Sequence, residues 1–160
     1  MFYSIVKPEV DISTRRLCTK PYPGHPGGCP NFASTHRLCP PYRPILAEIL
    51  DATKPIYAVW NIFNIGAHAA RLKEKFPTWS ERQLYCCLYW QPKARKELAE
   101  KIKLFNICVP GQTIVPIPEA TGVNITETMA NIGEMLEWPP RDKAYQVVLA
   151  GTPNPAKEEK

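Results

Sequence analysis

A nearly continuous apolar run extends over residues 56–63 and is rich in β-branched and aromatic side chains. Such a run is typical of a strand buried in the middle of a sheet. Shorter segments of the same character predict further strands at residues 113–117 and 145–150. One or two more strands are expected within residues 2–17, where apolar and polar residues alternate loosely.

Five segments have apolar residues at helical intervals. The first follows Pro44, a residue suited to the first turn of a helix. Thr78 with Glu81 has the spacing of a capping box, and Asn124 with Glu127 has the same spacing. The five predicted helices cover residues 45–50, 65–75, 78–90, 92–105 and 124–136.

This order of elements predicts an α/β or α+β protein with helices packed on one small central sheet. The 160 residues, 44% of them hydrophobic, are enough for a single domain with one core. We expect that domain to cover residues 1–150. Residues 151–160 are polar and are expected to form a flexible tail.

Residues 18–44 differ from the rest of the chain, because they contain seven prolines, three glycines and three cysteines without any periodicity. A loop of this length without secondary structure is rare in a compact domain unless something other than a core orders it. A bound metal is a natural way to order it. The segment is therefore predicted to be a long metal-binding loop near the N-terminus.

The N-terminal segment, the lack of a long apolar stretch and the net charge predict where the protein is located and what it binds. Lys7 and Pro8 interrupt the N-terminal segment where a secretory signal needs an apolar run, and no stretch approaches the ~20 apolar residues of a membrane span. A cytoplasmic protein that does not bind membranes is expected, and cytoplasmic thiols usually stay reduced. The net charge of +5 is modest. It gives only weak support to a nucleic-acid partner.

The cysteines are the main candidate ligands. Their spacing lacks the paired Cys-x-x-Cys knuckles of structural zinc sites and suits a loop wrapped around a larger object, an iron–sulfur cluster. Three loop cysteines leave a fourth position, which the predicted helix at 78–90 could fill with one thiol. Cys108 is expected to be structural. The predicted ligands are Cys18, Cys29 and Cys39, with Cys87 or Cys86 as the fourth.

Histidines offer another way to complete the site. His25 and His36 lie within the loop, so a Cys3His zinc site is chemically open, although each could equally be exposed or bonded to the backbone. His68 lies on a predicted helix and is expected to be packed or half-buried. Disulfides remain a further alternative for the six cysteines.

A resemblance supports the metal. The pattern of Cys18, GCPN at 28–31 and CPP at 39–41 resembles predicted metal-binding proteins of a prokaryotic family known only as a domain of unknown function. The segment PEATGVNITETMANIG at 118–133, then WPP and YQVVLA, is similar to the end of that family. The resemblance implies a cysteine-ligated metal, described there as an iron–sulfur cluster. The family has tighter spacing between its first cysteines and a later cysteine-rich cluster.

Three functions from different classes remain open. The first is an iron–sulfur protein, with a [4Fe–4S] cluster, in redox or cluster-dependent chemistry, whose partner is a redox protein or a small-molecule substrate. The second is a zinc-stabilised domain that binds nucleic acid or protein. The third is an enzyme with Cys86 or Cys87 as nucleophile. Glu119 and Glu127, near Gly122, could line a cleft, although Glu127 is also explained as a capping partner.

Overall fold

The computed structural model describes residues 1–21, 26–29, 32 and 38–155. Besides strands and α-helices, the described residues form two 3-10 helices, here called the first and the second 3-10 helix. Their order is β1 (Tyr3–Val6), the first 3-10 helix (Ile12–Thr19), α1 (Leu46–Ile49), β2 (Ile56–Asn64), α2 (Ile65–Lys75), α3 (Glu81–Leu84), α4 (Cys87–Cys108), β3 (Thr113–Val115), the second 3-10 helix (Pro118–Thr121), α5 (Ile125–Ala130) and β4 (Lys143–Gly151).

The four strands form one antiparallel sheet in the order β1-β2-β4-β3. The two long strands, β2 and β4, pair along their whole length, with Trp60 opposite Val147. The predicted central strand is confirmed, since β2 has a neighbour on each side. Helices packed on a small antiparallel sheet make this an α+β fold, as the order of elements predicted.

Alternate residues of β2 point to opposite faces of the sheet, as the two-residue period of a strand requires. Ala58 and Trp60 pack in one hydrophobic cluster with residues of α1 and α5. Val59 packs on the other face against Leu98 of α4. The buried Asn61 shares that second face, where its side-chain amide donates hydrogen bonds to α4. The sheet therefore has a cluster on each side.

Several predicted boundaries differ from those observed. Only β1 forms near the N-terminus, because Asp11 caps the first 3-10 helix by accepting a hydrogen bond from the Ser13 N–H, at 2.8 Å. Ser80, rather than Thr78, opens α3. The chain breaks between α3 and α4 at residues 85–86, and not just before Pro92 as predicted. Pro92 lies inside α4.

The end of α5 and the start of the C-terminal tail also differ from the prediction. α5 starts at the predicted cap Asn124 but ends six residues before the predicted end, and Gly133 follows with a positive φ of 84°. The expected tail begins too early, since β4 extends through Gly151. Asn154 then donates hydrogen bonds to the carbonyl oxygens of Ala47 and Ile49. Residues 156–160 lie outside the described part of the chain.

Candidate metal centre

The first 3-10 helix positions Cys18 and brings it to Cys29. Cys18 lies in the last turn of that helix, half-buried. The backbone N–H of Cys29 donates a hydrogen bond to the Cys18 carbonyl oxygen, with an N···O distance of 2.7 Å. The Cys29 carbonyl accepts in turn from the N–H of Phe32, at 3.0 Å. Two cysteines that are far apart in sequence are thus joined through their backbones.

Gly28 makes this approach possible. Its φ is +85°, in the left-handed region that disfavours side chains, and a Cβ atom there would lie 2.5 Å from the Cys18 carbonyl oxygen and 2.9 Å from the carbonyl carbon of Thr19. No neighbour moves aside cheaply, because both contacts are backbone atoms. The glycine at this position is therefore required by close contact between two parts of the chain.

Arg15 connects the same helix to the third cysteine. Its guanidinium donates hydrogen bonds to the carbonyl oxygens of Pro41 and Arg43, at 3.2 and 2.7 Å. The N–H of Arg43 donates to the carbonyl of Cys39, at 3.0 Å, which closes a turn that begins at that cysteine. A long charged side chain in an irregular segment carries no periodic signal, so sequence reasoning missed this contact.

Three other ionisable groups act on the Cys18 thiol. Burial raises the pKa of that thiol, and negative charge at Cys29, Cys39 and Glu119 raises the same pKa further. Coulomb interactions weaken with distance, so these groups lie within electrostatic range of Cys18.

Glu119 belongs to the second 3-10 helix, which packs against the first. The Thr14 hydroxyl donates a hydrogen bond of 3.4 Å to the Glu119 carbonyl oxygen. Part of the Glu119 residue is open to solvent, yet the protein packed around its carboxyl raises the pKa by desolvation. Glu119 also lines a pocket of about 370 Å³ with Leu17, the residue before Cys18, and Trp138. The expectation that Glu119 lines a cleft is confirmed.

The sulfur atoms are close without forming a finished ligand set. Within the described ranges, no group of three or more histidine, cysteine, aspartate or glutamate side chains is placed so that it could hold a metal ion. His25 and His36, the predicted ligands of a Cys3His zinc site, lie outside the described residues. The observed arrangement is a cluster of neighbouring thiols, and all six cysteines of the chain are free.

The two cysteines predicted as a fourth ligand lie elsewhere. Cys86 is the half-buried N-cap of α4, and Cys87 is its exposed first residue. α4 packs on the face of the sheet that carries Val59, whereas Val123, next to the second 3-10 helix, packs with Trp60 on the opposite face. Among the described residues, no hydrogen bond joins Cys86 or Cys87 to the loop cysteines. Their role as ligands stays an untested prediction, which the packing of α4 on the opposite face disfavours.

The structure also places the other candidate residues, Cys108, His68 and Glu127. Cys108 ends α4 and is exposed, so it does not have the packed position expected of a structural thiol. His68 is half-buried on α2, as expected, with its ring edge-to-face against Phe63 at 5.6 Å between centroids. Glu127 donates its N–H to the Asn124 side chain at 3.2 Å, which confirms its place in the cap of α5.

Comparison with known proteins found no match to the chain among protein-family models, curated proteins or solved structures. In the part of the chain that the structure describes, no helix is long and apolar enough to cross a membrane. Functional conclusions therefore depend on the geometry of the cysteine cluster and on its chemistry.

Proposed function

We propose that Cys18, Cys29 and Cys39 are the thiolate ligands of an iron–sulfur cluster, [4Fe–4S] by preference, and that the protein takes part in redox or cluster-dependent chemistry. The observation that carries the proposal is that backbone and Arg15 hydrogen bonds connect the segments of the three cysteines, with Cys29 and Cys39 in electrostatic range of the Cys18 thiol. Thiolates are the usual ligands of such clusters. Their backbones are held together by the Cys29–Cys18 hydrogen bond and by Arg15.

The surroundings of the cysteines favour a cluster over a single zinc ion. The cysteines are separated by ten and nine residues, without the short knuckles of zinc sites. Gly28 lets its backbone lie against the backbone of Cys18 and Thr19. In iron–sulfur proteins, backbone N–H groups near cluster sulfurs tune the reduction potential. The resemblance of the GCPN and CPP motifs to predicted metal-binding proteins supports the same conclusion. A cytoplasmic setting, which the sequence predicts, would keep the thiols reduced.

Three protein ligands would leave one position of a [4Fe–4S] cluster open, and an open iron supplies Lewis-acid chemistry. The protein's own contribution would come from the pocket beside Cys18. A small-molecule substrate would lie there against the apolar side chains of Leu17 and Trp138. Glu119, whose raised pKa keeps its carboxyl protonated to higher pH, would donate a proton. With a fourth cysteine ligand, electron transfer to a redox partner would be the function instead.

Anaerobic purification of the full chain tests the proposal. We expect a brown protein that contains iron and acid-labile sulfide and has an electron paramagnetic resonance signal after reduction. Cys18→Ser should lose the colour and the iron, whereas Cys108→Ser, at an exposed thiol on α4, should keep both. A colourless protein with one equivalent of zinc would replace the cluster by a zinc site. A carefully reduced sample without any metal would overturn the proposal.

A further inference from the structure

The net positive charge of the chain is concentrated in the segment of residues 71–96, which forms the last part of α2, all of α3 and the first part of α4. Residues 71–96 contain seven basic and two acidic side chains, an excess that equals the net charge of +5 of the whole protein. All nine of these side chains are exposed. One of the two acids, Glu81, is paired with Arg141 at 3.1 Å. The exposed side chains of this segment therefore carry an excess of positive charge, which attracts anionic partners.

Two of these cations come from different helices and lie within electrostatic range of the same side chain, His68. Arg71 of α2 and Lys93 of α4 both act on His68, whose pKa is lowered by burial first and then by these two charges. In the described part of the chain, neither cation takes part in an ion pair. Placing cations side by side costs free energy through their repulsion, and an anionic partner would remove that cost.

A stack of aromatic rings lies within the same segment. The rings of Phe76 and Trp79 are nearly parallel, at 9°, with centroids 4.3 Å apart, and the Tyr89 ring follows at 5.2 Å from Trp79. The ammonium group of Lys75 lies 5.3 Å from the Phe76 centroid. Lys73 donates a hydrogen bond of 3.1 Å to the Trp79 carbonyl. Lysines therefore flank the stack.

Tyr89 is the end of the stack that is open to solvent. The residue is 51% exposed, whereas Phe76 and Trp79 are partly buried. Lys93 and Lys96 lie four and seven residues further along α4, which places them on the same side of the helix as Tyr89. A flat group that stacked on Tyr89 would thus have cations beside it at helical intervals.

We propose that this surface, defined by Arg71, Phe76, Trp79, Tyr89, Lys93 and Lys96, binds a single-stranded nucleic acid. Stacking on an exposed aromatic ring together with cations that follow the backbone is the usual way to hold single strands without sequence preference. A duplex keeps its bases stacked inside and would use only the charges. The inference does not depend on the metal proposed for the cysteine cluster.

Fluorescence anisotropy with labelled 20-nucleotide strands of oligo-U and oligo-dT tests the proposal. We expect binding of at least one strand at low salt, weaker binding of a duplex of equal length, and a logarithmic dependence of affinity on salt. Arg71→Gln/Lys93→Gln should lower the affinity at fixed salt and reduce the salt slope by about 1.4, since each phosphate contact on a single strand contributes about 0.7.

The chain offers a matched control for charge. Lys7 and Lys54 are exposed and flank the paired residues Val6 and Ile56, at the end of the sheet opposite to the start of α2. Lys7→Gln/Lys54→Gln removes the same charge and should leave the salt slope unchanged. An equal loss of affinity in both double variants would show that net charge alone binds the strand, and would overturn the proposal.

A second pair of variants tests stacking. Tyr89→Leu should weaken binding about fivefold or more without changing the salt slope, because loss of one base–aromatic contact removes stacking and no charge. Ile107→Ala, at an exposed apolar residue near the other end of α4, should have no effect. Three results would each overturn the proposal. The first is that neither oligo-U nor oligo-dT binds, the second is that the duplex binds as tightly as the single strands, and the third is that Tyr89→Leu has an unchanged affinity.

Discussion

The N–H of Cys29 donates a hydrogen bond of 2.7 Å to the carbonyl oxygen of Cys18, which brings the two thiols into one site. This contact also brings Gly28 against the backbone of Cys18 and Thr19. The Cys18 thiol lies near the junction of the two 3-10 helices, and burial together with charge at Cys29, Cys39 and Glu119 raises its pKa. The predictions below test what this junction holds and how it is built.

The first prediction concerns the ligands. Cys29→Ser and Cys39→Ser should each lose metal, and the stability that metal binding contributes should be lost with it, because site formation and loop ordering are coupled. Cys108→Ser serves as the control, because its exposed thiol ends α4 on the other side of the sheet. Metal content and thermal unfolding of anaerobically purified proteins would check this, and metal loss in Cys108→Ser would contradict the assignment.

A second prediction addresses the fourth position. Cys87→Ser and Cys86→Ser should keep their metal content, since α4 lies on the opposite face of the sheet from the second 3-10 helix. The same metal analysis measures it. Loss of iron from either variant, with its circular dichroism spectrum unchanged, would instead identify that cysteine as the fourth ligand.

Gly28→Ala should destabilise the protein by about 1–3 kcal/mol, because the new Cβ would collide with backbone at a positive φ. The neighbouring Gly27→Ala is a matched control, since a Cβ at Gly27 meets nothing within 4 Å. Urea unfolding of both variants gives the two free energies of unfolding. Similar values for the two would show that the approach of Gly28 to Cys18 does not contribute to stability.

The raised pKa of Glu119 predicts that the free energy of unfolding depends on pH. Desolvation raises the pKa of Glu119 in the folded state above its usual value of 4.5, so between these two pKa values the folded state binds more protons than the unfolded state. Folding stability from this group is therefore lost as the pH rises through that interval. Glu119→Gln lacks this component, and its stability relative to the native protein should increase with pH.

Urea unfolding of metal-free protein at a series of pH values, for the native chain and Glu119→Gln, measures the difference. Metal-free samples keep thiolate coordination from adding its own pH dependence. A stability difference between the two proteins that stays constant from acid to neutral pH would contradict the raised pKa of Glu119.

Much of the fold was predictable because its signals are local. The apolar run at residues 56–63 predicted β2, and Asn124 predicted the start of α5, since strand period and capping depend on residues near one another in sequence. Pro92 misled the prediction for α4. Pro92 lies beyond the first turn of α4 and removes one backbone hydrogen bond of the helix. The helix continues through it because tertiary packing supplies most helical stability, and Trp90 and Ala94 on either side of Pro92 are buried.

The candidate site was predictable in composition but not in arrangement. A loop with three cysteines and many prolines indicated ligation from the sequence alone, because such a segment has too few apolar residues to hold its shape. The choice of a fourth ligand could not be made, because it depends on which face of the sheet carries α4. Glu119 comes into range of Cys18 through the packing of the two 3-10 helices, and Arg15 connects the first of these helices to the turn after Cys39.

The sequence by itself therefore determined the kinds of element, the buried central strand and the cysteines that could bind a metal. The tertiary structure decided that hydrogen bonds connect the segments of Cys18, Cys29 and Cys39, that α4 packs on the opposite face of the sheet from Val123, and that Phe76, Trp79 and Tyr89 stack with lysines beside them. The reason is physical. Local propensity acts over a few residues, whereas contacts between distant segments depend on how whole elements pack.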